Sequence, residues 1–119
     1  AEAAAAEAAE IARVRSVVEQ YVRAINSKRV DDLRSVFPSM EPRVREGFET
    51  MFSRVSDLTA QLIGEPTITL HGSTADAQFT YELKGRDPSR GTFSNRSTVR
   101  ALLQRAGQGW VFERIGAGQ

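Results

Sequence analysis

Cysteine is absent from this sequence of 119 residues, and histidine occurs once. The first absence removes disulfides, thiolate metal sites and cysteine nucleophiles together. The second leaves His71 without another imidazole to share a metal, and Asp31 and Asp32, adjacent on a helix, diverge. No metal and no other cofactor is expected. An excess of one charge is also missing. Lys and Arg number 16 against 15 Asp and Glu, so no strong field draws nucleic acid or an anionic membrane. No apolar run is long enough to span a bilayer, and no direct membrane contact by this segment is expected. The N-terminus lacks the basic and large-apolar regions of a signal peptide. It also lacks a starting Met, so the sequence is expected to be an excised piece of a longer protein. Its length suits one domain with one core.

What is present divides in two. "AEAAAAEAAE" is alanine-rich with glutamates for solubility, and reads as a helical linker over residues 1–9, continuing into the next helix, ahead of a domain over 10–119, with a frayed tail as the alternative. Ile11, Val14, Val18, Tyr21, Val22 and Ile25 recur at helical spacing, predicting a helix from about Glu10 to Ser27. Val30, Leu33, Val36 and Phe37 predict two further helical turns, closed by Pro38. Ser39 is a candidate N-cap for a third helix, with Glu41 and Pro42 in its first turn. Val44, Phe48, Met51, Phe52, Val55, Leu58 and Leu62 extend that helix from about Met40 to Leu62, with Gly64 as its stop. Beyond Pro66 the period drops to two. "TITLHG", "TADAQFTYELKG", "TFSNRSTVRALLQR" and "WVFERIG" read as four strands of an antiparallel meander, joined by short turns. The fold class is α+β: three N-terminal helices covering the apolar face of a curved, four-stranded antiparallel sheet.

This order of elements resembles the nuclear transport factor 2-like superfamily, also called the SnoaL-like or cystatin-like α+β cone. "VVEQYVRAINSKRVDDLRSVFP" is similar to that family's first two helices, "TADAQFTYEL" to its long middle strand, and "RALLQRAGQGWVFERI" to its closing hairpin. The resemblance covers about residues 10 to 116. It is closest to a short subgroup of bacterial accessory domains in which a proline turn leads straight into the third helix, as in "VFPSMEPRVREGF". Arg29 replaces the usual acidic or Asn cap of the second helix. The resemblance implies attachment to a larger protein, sometimes the extracytoplasmic part of a membrane-anchored one, at times behind a protein kinase. Enzymatic members place a β-hairpin between the second and third helices, and in ketosteroid-isomerase-like members it carries the general base. Here "PSMEP" is too short for two strands, so that catalytic position is missing.

The remaining candidates are weighed residue by residue. His71 is out of phase with Ile68 and Leu70 and reads as a surface histidine. Glu82 and Glu113 fall on the outer strand face with Lys84 and Arg100, as solvated ion pairs. "GRDPSRG" joins two strands and opens no helix, so it reads as a hairpin turn rather than a phosphate loop. Asn95 and Ser97 share a face with Val99, Ala101 and Leu103. Either they line a small polar cavity at the cone's open end, or a bulge reverses the phase before Val99. A ligand pocket is expected among Phe48, Phe52, Tyr81, Asn95 and Ser97, against the alternative that Phe48 and Phe52 simply fill the core. Leu102, Val111 and Ile115 are expected on the outer sheet face as a homodimer contact.

The expectation is therefore a non-catalytic accessory domain of a larger bacterial protein. It would bind a small molecule or protein partner, dimerise through the sheet, or both, with no nucleic acid partner and no catalytic residue. The competing readings are a small enzyme of the ketosteroid isomerase, dehydratase or polyketide cyclase type, and a purely structural oligomerisation spacer.

Overall fold

A computed structural model describes residues 2–117. Three helices, α1 (Glu2–Ser27), α2 (Val30–Val36) and α3 (Pro42–Arg54), precede four strands, β1 (Ser56–His71), β2 (Thr74–Asp87), β3 (Gly91–Ala106) and β4 (Gly109–Ala117). The strands form one antiparallel sheet in sequential order. The expected α+β meander is thus the observed architecture.

The first helix carries its stripe as the spacing predicts. Val14, Val17, Val18, Tyr21, Val22 and Ile25 are buried against the sheet. The alanine-rich stretch continues the same helix, with Ala4–Ala9 exposed. At the other end of α1, Asn26 fixes the helix to β1. Its Nδ2 donates to the Ala60 carbonyl (2.6 Å) and its Oδ1 accepts from the Ala60 N–H (2.7 Å).

The third helix is shorter than its apolar spacing predicts. It stops at Arg54, and Leu58, Ala60 and Leu62 belong to β1. Val55, Leu58 and Leu62 fit a helical period, but Leu58, Ala60 and Leu62 fit a period of two equally well. Tertiary pairing decides between them, because β2 needs a partner along its whole length and residues 59–63 supply it. Gly64 is not a helix stop. With φ of 72° it opens a wide bulge in which Gly64–Pro66 face Phe79 alone, so Pro66 sits where the ladder is already interrupted. A second bulge, at Asp57 (φ 54°), brings Val55 over Gly85. A Cβ on Gly85 would lie 2.5 Å from Val55 Cγ1, so only glycine permits this approach.

Nor does Ser39 cap α3. The N-cap is Glu41, with Pro42 as the first helical residue. Ser39 Oγ instead donates to the Glu113 carbonyl (2.8 Å). Glu113 is the extra residue of a third bulge, between the pairs Leu103↔Phe112 and Leu102↔Arg114.

That bulge corrects part of the expected outer face. Trp110 and Phe112 are buried, and Leu102 and Val111 are on the opposite side of the sheet, half-buried, as expected for those two. Ile115, however, pairs with the buried Ala101 and packs against the core. One inserted residue reverses the alternation between Phe112 and Ile115. Glu113 likewise leaves the face that carries Lys84 and Arg100.

Candidate functional site

The β2–β3 ladder has no register shift from Asp87↔Gly91 to Thr74↔Gln104. The phase set by Phe79↔Val99 therefore continues through Tyr81↔Ser97 and Leu83↔Asn95 to Gly85↔Phe93. No bulge turns Asn95 and Ser97 away from the helix side of the sheet. Of the two alternatives read from the sequence, inward placement holds.

The cone beneath α3 is filled by rings. Tyr21 stands at the centre, with ring centroids 5.3 Å from Phe112, 6.1 Å from Phe79, 6.3 Å from Tyr81 and 6.5 Å from Phe48. Phe48 and Phe52 are 5.8 Å apart. These are edge-to-face and tilted contacts of the stabilising kind. Burial pushes the Tyr21 phenol well above its ordinary value, with the Tyr81 hydroxyl adding to the effect. Burial raises Tyr81 as well, with Tyr21 opposing. Both phenols therefore act as hydroxyl donors or acceptors, not as phenolates.

The rings divide the expected pocket into two hollows, one on each side of α3. The first, about 280 Å³, is bordered by Tyr21, Phe37, Val44 and Phe48, with Glu41 and Glu113 also at its edge. Val44, expected on the apolar stripe of α3, is 39% exposed here. The second, about 370 Å³, lies between the C-terminal half of α3 and the β2–β3 turn. Met51, Val55 and Phe93 form its apolar part, and Arg54, Arg90 and Asn95 its polar part. Of the five expected ligand residues, Phe48 borders the first hollow and Asn95 the second. Phe52, Tyr81 and Ser97 border neither. Asn95 is exposed, one pleat beyond Ser97 and Tyr81 on the β2–β3 ladder.

Beside the larger hollow, Asp87 is already engaged. Asp87 accepts from Ser89 Oγ (2.7 Å) and Ser89 N–H (2.8 Å), and Arg54 lies 3.6 Å away. The Ser89 contacts hold its carboxyl below the usual carboxylate range. On the outer face Arg96, 3.1 Å away, and Lys84 hold Glu82 low in the same way. His71 is exposed, with Nε2 2.9 Å from Asp76 Oδ2.

Sequence reasoning missed two features. Glu113 enters the neighbourhood of Tyr21 only through the β4 bulge, for which alternation along one strand carries no signal. Glu10 was read as the boundary of a linker. Its carboxylate instead accepts from Trp110 Nε1 (3.0 Å) and pairs with Arg13 and Arg105. A lone buried Trp needing an acceptor for its N–H was the available clue.

No family model and no curated protein matches the sequence. Solved structures do match. A nuclear transport factor 2-like superfamily protein from Salmonella enterica serovar Typhimurium aligns with a TM-score of 0.73 at 17% identity, covering 89% of each chain. A protein from Novosphingobium aromaticivorans with a cystatin-like fold aligns with a TM-score of 0.74 at 16% identity, covering 96% of this chain and 84% of its own. Another cystatin-like protein, from Caulobacter vibrioides, gives 0.71 at 12% identity over 92% and 90% of the two chains. At these identities the likeness is one of fold, and the chain has the nuclear transport factor 2-like, cystatin-like α+β fold.

Proposed function

We propose that this chain is a non-catalytic binding and assembly module of a larger bacterial protein. It takes a small apolar ligand or a protein partner at the cone mouth beside α3, and pairs with a second copy through the outer sheet face. The observation that carries this reading is the aromatic filling of the cone. Tyr21, Phe48, Phe52, Phe79, Tyr81 and Phe112 occupy the space under α3, and among the described residues no charged side chain is buried. A general base needs hydrogen-bond reach to a substrate proton and an environment that tunes it. The carboxylates bordering the nearer hollow, Glu41 and Glu113, are exposed.

The enzymatic alternative draws support from the same hollow, where Tyr21 could donate to a carbonyl and Glu113 could take a proton. The two readings separate in one measurement. A β,γ-unsaturated ketosteroid is incubated with the protein in D2O, and exchange of its α-protons is followed by NMR. Exchange at the buffer rate is expected. Protein-catalysed exchange that disappears in Glu113→Gln would overturn the non-catalytic reading.

A further inference from the structure

β3 is 16 residues long and β4 only 9. β4 pairs with β3 from Val99 to Ala106. From Gly91 to Thr98, β3 is paired with β2 alone, and among the described residues no strand lies along its other edge.

An unpaired edge is a template for another strand, and folded proteins usually blunt it with proline, bulges or irregular backbone. The opposite edge of this sheet is blunted in that way. β1 carries two register shifts, at Asp57 and Gly64, and Pro66 removes a donor. The free half of β3, "GTFSNRST", has no proline, and its ladder with β2 is unbroken. Six of its eight residues are exposed, and Phe93 and Ser97 are half-buried. Phe93 and Asn95 also border the larger hollow beside α3.

We infer that Thr92–Thr98 of β3 captures an extended peptide of another polypeptide as a fifth strand, antiparallel to β3 and in line with β4. Its residues are apolar at alternate positions and flanked by carboxylates. The inference rests on the binding-module reading and names its partner. Alternate side chains of an added strand point to the same face. On the inner face they meet the apolar wall of Met51, Val55 and Phe93. The charge requirement follows from the hairpin end. Lys84, Arg86, Arg90 and Arg96 on residues 82–96, with Arg54 facing them, are five cations against two carboxylates, Glu82 and Asp87. Both carboxylates already have cationic partners, whereas Arg90 has no ion pair among the described residues.

The test uses a fluorescein-labelled peptide of three valines alternating with two threonines, with a glutamate at each end, titrated into the 15N-labelled protein. Saturable binding is expected, with amide shifts concentrated on Thr92–Thr98 and new protection of alternate amides there. Asn95→Pro and Arg96→Pro form a matched pair, because neighbouring residues turn their N–H groups to opposite sides of a strand. The substitution that deletes only the outward donor should fold and weaken binding at least tenfold. Arg90→Glu, on the exposed turn, should fold and weaken binding at least threefold, which keeps the test open if both proline variants unfold. No saturation with the wild type would overturn the inference. So would shifts confined to the hollow around Tyr21, or concentration-dependent shifts of Thr92–Thr98 without peptide, which would assign the edge to a second copy. The ketosteroid exchange assay reads a different property, so the two ideas can fail separately.

Discussion

The carboxylate of Glu10 is shared between the indole N–H of Trp110 and the guanidinium groups of Arg13 and Arg105. The Arg105 guanidinium also stacks 5.4 Å from the Trp110 ring centroid, within cation–π range. Burial alone would push the Glu10 carboxyl up, but its three donors outweigh burial and hold it below the ordinary value of 4.5. A carboxylate lowered by folding adds stability above its unfolded pKa and loses it as pH falls through the folded value. Glu10→Gln should therefore unfold at a lower temperature than the wild type at neutral pH. The difference should close as pH falls through the folded value, below which the wild-type carboxyl is itself protonated. Thermal melts of both proteins across that range check this, and a gap that persists in acid would count against the latch.

At the scale of elements, α3 is the least embedded part of the fold. None of its 13 residues is fully buried, whereas α1 buries Val14, Val18, Tyr21 and Ile25. Phe48, Met51 and Phe52 reach the core only partly. Elements with little buried apolar area open at low free-energy cost, and binding surfaces are drawn from them. Amide exchange in α3 should therefore outpace that in the second half of α1 by roughly tenfold or more. Equal protection of the two helices would show α3 to be a fixed wall, not a movable cover over the two hollows.

For the whole molecule, the outer sheet face is polar with isolated apolar groups. Thr80 and Thr98 bond to each other across β2 and β3 (2.7 Å), and Arg96 meets Glu82 beside them. Leu102 and Val111 remain half-buried there, without Ile115. A pairing of two copies through this face is expected to be modest and mostly polar at its rim. Light scattering at high micromolar concentration should give a dimer that Leu102→Glu converts to a monomer. A wild-type monomer at that concentration would remove the assembly half of the proposed function.

The periodicities of the chain were enough for the α+β class, the order of elements, the buried stripe of α1 and the five-residue link in place of a hairpin. Each depends on contacts within one element or on uninterrupted alternation, which a linear pattern records. The end of α3, the side on which Ile115 and Glu113 fall, the partner of Glu10 and the free edge of β3 were decided only in three dimensions. Leu58–Leu62 satisfied two periods, and pairing with β2 selected one. A single bulge residue reversed a face without leaving a mark in hydrophobicity. Whether a strand has a neighbour depends on where another strand ends, and that is a relation between distant parts of the chain.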